Sequence, residues 1–154
     1  LWALLSGRAL PRWVKRLKFI AACSLTLTFL TVVFVLAPYY PDEGGVVFLL
    51  TESSMLYHHL LNPMAALLSY LLLEREPHLP RSDVRWALLP TLAYAAVILP
   101  LNILRVIVGP YPFFEVYHQP VYVSVLWAVG LLGVNYLYAW LLWRLGGGRP
   151  RSAR

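Results

Sequence analysis

Apolar residues run along this chain in long stretches, and the polar positions gather between them. Four stretches stand out, at about 19–37, 46–73, 86–108 and 121–145. A helix needs about 20 mainly apolar residues to cross the hydrocarbon core of a bilayer, so each stretch predicts a transmembrane helix. The breaks between them, "PYYPDEGG", "EREPHLPRSDVR" and "GPYPFFEVYHQP", hold the Pro, Gly and charged residues that end helices. Ten-residue units with period-2 alternation, the pattern of a membrane β-barrel, do not occur. The expected fold is all-α, an integral membrane bundle of four helices. A basic segment over 1–18 and a basic tail over 146–154 flank it.

Composition strengthens this reading. The chain has 154 residues, 60% hydrophobic and 13% charged, against about 45–50% and about 25% in soluble domains. A domain of this size leaves roughly a third of its chain surface in water, so a water-soluble monomer is excluded. The charges then orient the bundle. Arg8, Arg12, Lys15, Arg16 and Lys18 precede the first stretch; Arg75, Arg81 and Arg85 fall in the second break; Arg144, Arg149, Arg151 and Arg154 end the chain. The first and third breaks contain only the acidic Asp42, Glu43 and Glu115. Of the 13 basic residues, Arg105 alone sits near the other side. The positive-inside rule therefore predicts a multi-pass protein of the cell membrane with both termini cytoplasmic. The same placement argues against nucleic acid as a partner, because the basic residues flank helices and build no separate domain. Membrane lipids are the expected partners.

Cys23 lies inside the first stretch and reads as a small packing residue. The hydroxyls there, Ser24, Thr26, Thr28 and Thr31, can bond back to their own helix. Ser124, Gly130, Gly133 and Asn135 in the fourth stretch suit close helix approach.

The second stretch is different. It brings Thr51, Glu52, Ser53, Ser54, Tyr57, His58, His59 and Asn62 close together in an apolar run. At about 100° per residue, Thr51, Ser54, His58, Asn62 and Ser69 share one stripe, with Glu52 and His59 to its side. Pro63 removes a backbone donor and predicts a kink below the histidines. Three uses of this polar face remain open. A metal site is disfavoured by adjacent histidines, which diverge on a helix, and by the lack of an i, i+4 pair. A structural seam between helices needs only partners across the bundle. A catalytic centre would use a buried His as general base toward a hydroxyl. Neither metal nor cofactor is implied.

The third stretch adds Asn102 and Arg105, bent by Pro90 and Pro100. Arg105 either snorkels to the interface or pairs with Glu52, Glu115 or an acidic lipid head. The loop "GPYPFFEVYHQP" is short and aromatic, as suits a lid over the outer mouth. Taken as a catalytic centre, this polar face would offer His58 and His59 as catalytic residues, with Glu52, Ser54, Asn62, Arg105 and Glu115 as candidates to bind substrate.

Three segments, "LTFLTVVFVLAP", "LYHHLLNPMAALLSYLLLE" and "LLPTLAYAAVILPLNILRVIVGPYPFFEV", carry a His shortly before a Pro and a later Arg-to-"YPF" segment. In that order they resemble a group of bacterial multi-pass membrane proteins. With the loop from Glu74 to Arg81, they also resemble the androgen-induced membrane hydrolases. The resemblance covers roughly 15–145. It implies a six-helix protein that cleaves fatty acid esters of hydroxy fatty acids with an embedded Thr nucleophile and a His. The family His is matched by His59, four residues before Pro63, with His58 a close second. The family Thr lies on a helix upstream of Phe19–Ala37, so by this resemblance it precedes Leu1, and "LWALL" is either the end of that helix or an interfacial stub. Thr31, Thr51, Ser53 and Ser54 are the hydroxyls within the chain that could stand in for it. The alternative to a lipid-directed hydrolase is a non-enzymatic lipid-binding, transport or assembly subunit.

Overall fold

Residues 10–39, 41, 44–73 and 79–146 are described by a computed structural model, and every regular element among them is helical. Helix α1 covers Arg12–Tyr39, widening to a π-type turn over Val32–Leu36 and tightening over Ala37–Tyr39. It starts before Phe19 because nothing after Pro11 breaks a helix and Arg and Lys are good helix formers. The part of the basic segment from Arg12 onward is therefore helical, while its first residues, the loop 74–78 and the tail beyond 146 lie outside the described residues.

The second stretch departs most from expectation. It is not one helix. A short helix α2, Gly45–Thr51, ends where Glu52 turns extended (ψ 121°) and Ser53 becomes left-handed (φ 46°). Helix α3 then runs over 56–73, with π-type turns over Leu56–Leu61 and Ser69–Leu73 around an α-helical middle, Asn62–Leu68. The break falls at Thr51-Glu52-Ser53-Ser54, where short polar side chains compete with the helix for backbone bonds. Thr51 does so directly, its hydroxyl donating to the Val47 carbonyl at 2.7 Å. Pro63 is buried, and the backbone widens ahead of it instead of simply kinking.

Helix α4 is Arg81–Ile103, starting as 3-10 over Arg81–Leu88, and α5 is Val121–Leu145 as expected. The third stretch thus starts earlier and stops sooner than 86–108. Among the described residues three helices, α1, α4 and α5, are long and apolar enough to cross a membrane, not four. Helix α3 nonetheless runs antiparallel along α1: Tyr70 meets Phe19 (ring centroids 5.7 Å apart) at the basic end, and Met55, just before α3, packs on the cluster of Val32, Leu36, Ala37 and Leu49 at the other. Apolar residues such as Leu92 and Val97 of α4 and Val125, Leu126 and Val129 of α5 are exposed. A belt of this kind suits lipid contact.

Two apolar clusters hold the bundle. Phe19, Ala22, Cys23, Val84, Ala87, Ala139 and Leu142 pack at the basic end; Val32, Leu36, Ala37 and Leu49 pack at the opposite end. Between α4 and α5, Asn135 is fully buried and donates to the Thr91 hydroxyl at 2.8 Å.

An ion pair closes the basic end. Asp83 is 1% exposed and accepts from Arg16 twice, at 3.2 Å from Nε and 2.9 Å from Nη2. Arg12 lies 3.7 Å away, and Arg16 also stacks over Trp86 at 5.2 Å.

Candidate functional site

A cavity of about 680 Å³ opens between the helices toward the end opposite the basic cluster. Its size is that of a small-ligand site. Its walls are largely apolar, and the polar exceptions are specific. His59 lines it from α3, Ser24, Thr28 and Thr31 from α1, and Thr91 and Tyr94 from α4. The three α1 hydroxyls are spaced i, i+4, i+7 and so share one face. Thr28 donates to the Ser24 carbonyl at 3.1 Å, while the Ser24 hydroxyl is buried without a protein partner.

His59 has a defined tautomer. Its Nδ1 lies 2.8 Å from the Leu49 carbonyl, which can only accept, so Nδ1 carries the proton. In the neutral ring Nε2 is then left as the free acceptor.

The roof is aromatic. Tyr111, Phe113 and Phe114 of the loop after α4 line the cavity beside Phe48 and Leu49 of α2. Phe113 contacts Tyr111 (5.2 Å), Phe114 (5.0 Å) and Trp127 (5.9 Å). Pro110 of the same loop also lines the cavity.

The expected site residues are distributed unevenly. His59 is in the cavity wall; His58 is exposed and outside it. Glu52, Ser54 and Asn62 are exposed and outside the lining, since the break at 52–54 dissolves the continuous polar stripe. Arg105 does not continue the third helix: its φ of 58° places it in the left-handed region, with the guanidinium 4.5 Å over the Tyr117 ring. Among the described residues it pairs with neither Glu52 nor Glu115. Glu115 instead meets His118 Nδ1 at 3.0 Å. Arg105 and Glu115 do share a second, smaller cavity of about 300 Å³. Buried Asn102 braces that cavity, donating to the Ile107 carbonyl at 3.1 Å and accepting from the Val116 amide at 3.3 Å. Among the described residues no three His, Cys, Asp or Glu side chains converge.

Segment 109–115 is a thin partition between the two cavities: Gly109 and Glu115 line the smaller, Pro110, Tyr111, Phe113 and Phe114 the larger. A Cβ on Gly109 would sit 2.5 Å from the Phe114 carbonyl oxygen. Gly109→Ala is therefore expected to push this backbone apart and cost about 1–3 kcal/mol, read as lowered thermal stability in detergent; an unchanged melting curve would contradict the packing.

From the sequence Ser24, Thr28 and Thr31 read as hydroxyls bonded back to their own helix, Thr31 alone also as a stand-in nucleophile; the fold puts all three on the cavity wall. Thr91 and Tyr94 sit among apolar residues and gave no such signal.

No protein-family model matches this sequence, and searches of curated proteins and of solved structures return no match.

Proposed function

We propose that this protein is a multi-pass membrane protein acting on lipid esters, with His59 as general base. The observation that carries the reading is an apolar cavity whose wall holds a His with one ring nitrogen fixed by a carbonyl and the other free to accept a proton. A backbone carbonyl on Nδ1 is a common way to set a catalytic imidazole. In the step proposed, Nε2 takes the proton of an attacking hydroxyl or water as its oxygen adds to the ester carbonyl. The imidazolium then gives that proton to the departing alkoxide, leaving an acid and an alcohol once any acyl-enzyme is hydrolysed. Donors that would steady the developing oxyanion are present in the same wall, among them Ser24 and Tyr94. The resemblance to the androgen-induced hydrolases agrees with this reading, and His59 is the better match.

The test is turnover of long-chain 4-nitrophenyl esters, with labelling by a fluorophosphonate probe, using the protein reconstituted in lipid vesicles. Absence of both turnover and labelling would reject the reading. The bond from His59 to backbone also suits a second reading, a lipid-binding protein in which the His ties two segments together. Saturable binding of a non-hydrolysable lipid ether without ester turnover would favour it.

The topology belongs to the same proposal: α1, α3, α4 and α5 cross side by side, with both termini cytoplasmic. A cysteine at Asp42→Cys, in a Cys23→Ala background, is expected to react with an impermeant maleimide from outside the cell. One at Arg149→Cys should react only after permeabilisation. Reversed labelling would overturn the orientation.

A further inference from the structure

The segment that breaks the second stretch has left-handed residues at both ends. Gly44 (φ 89°) and Gly45 (φ 51°) precede or open α2, and Ser53 (φ 46°) follows it. Glycine adopts such angles freely; serine does so at a cost. Between these bends, α2 puts Phe48 and Leu49 on the cavity and leaves Val47 69% exposed. It packs on the end of α1 and the start of α3. Among the described residues its backbone is tied to the cavity wall through the Leu49 carbonyl, which accepts from His59 Nδ1 at 2.8 Å.

We infer that α2 is a lid and that its Leu49 carbonyl is the positioning group for His59, holding the imidazole in the Nδ1–H form only while the lid is seated. The inference rests on the reading of His59 as base and adds its regulation. A carbonyl acceptor stabilises the ring that carries a proton on Nδ1 and so leaves Nε2 able to accept. When α2 lifts, that acceptor leaves with it, and both tautomers become accessible. The lid that covers the cavity is thereby also the element that readies the base. Closure over a bound lipid and activation of the imidazole become one event, which confines the reactive form to the covered cavity. The bends at Gly44–Gly45 and Ser53 are where the backbone would take up the motion. The helix Gly45–Thr51, which Gly45 itself opens, would move as a unit.

The experiment reads the tautomer directly. The protein is labelled with 15N-histidine in lipid nanodiscs at a pH where His is neutral, and the His59 signals are assigned by their loss in His59→Gln. The parent is expected to show Nδ1 protonated and Nε2 bare. Ser53→Val and Gly44→Val place a β-branched residue at a left-handed angle, and each should lower the ratio of the Nδ1–H to the Nε2–H form roughly tenfold. His118, bound to Glu115 outside the larger cavity, should keep its signals and serve as the internal control. Ser53→Gly relieves the left-handed cost without removing the bend, so it should hold or raise the Nδ1–H fraction even if the valine variants do not fold. An Nδ1–H fraction unchanged in folded valine variants, or lowered in Ser53→Gly, would overturn the latch. Ester turnover separates this from the function itself. Turnover lost in His59→Ala beside a tautomer indifferent to the lid removes the latch and keeps the hydrolase; a lid-dependent tautomer without turnover does the reverse.

Discussion

His59→Ala is expected to lower ester turnover by about 10²–10⁴-fold, the usual contribution of a positioned general base, while His58→Ala leaves it near the parent rate. The two residues are neighbours in sequence and alike in chemistry, so the contrast isolates position. His59 lines the cavity and has its Nδ1 occupied; His58 is exposed and outside the lining. Fluorophosphonate labelling in vesicles provides the parallel readout, because a hydroxyl nucleophile needs its base to react. His59→Gln is the informative companion, since its amide can still donate to the Leu49 carbonyl but cannot act as a base near neutral pH. Equal activity in the parent and both alanine variants would remove His59 from the mechanism. Loss in His58→Ala alone would transfer the role to a residue outside the cavity and contradict the site as drawn.

The second large effect concerns stability. Asp83→Ala is expected to destabilise the bundle by about 2–3 kcal/mol, below the 3–5 typical of breaking a fully buried pair because Arg16 retains some solvent access. The loss has an identifiable origin: Arg16 is left beside Trp86 with no carboxylate to accept its two hydrogen bonds. Unfolding in a mild detergent, followed by near-UV signal from the tryptophans, measures it. Replacing both partners, Asp83→Ala with Arg16→Met, should recover much of the loss, because a well-packed apolar pair avoids the unpaired charge. A double variant no better than Asp83→Ala would mean that the carboxylate acts through something other than Arg16.

Much of the architecture is legible from the sequence, for plain physical reasons. Long apolar runs set α1, α4 and α5, and the last of these keeps the bounds 121–145. The break in the second run is where reading by hydropathy fails. A window over 46–73 averages away Glu52, Ser53 and Ser54, whereas the backbone responds to them locally. The polar stripe drawn through Thr51, Ser54 and His58 assumed one continuous helix and dissolves with it. His59 enters the cavity wall because α3 starts anew after the turn, and its carbonyl partner comes from a residue ten positions earlier. No side-chain pattern encodes that contact. Asp83 was hidden for a different reason: in "RSDVR" it reads as one charge among several in a loop, and only the fold brings Arg16 to it across 67 positions.

The uneven polarity of the helices bears on how the chain enters a bilayer during synthesis. On insertion scales, apolar residues favour the membrane by a few tenths of a kcal/mol each, and a central charge opposes it by about 2.5–3.5. Helices α1, α4 and α5 are long and apolar enough to partition on that basis alone. Helix α3 is not, with His58 and Asn62 exposed along it. What it has instead is a ready surface on α1, already synthesised, against which Pro63 and Tyr70 become buried. If α3 crosses beside α1 as proposed, the residues that make it chemically interesting also make it dependent on its neighbour, and α1 and α3 would then enter as a single hairpin.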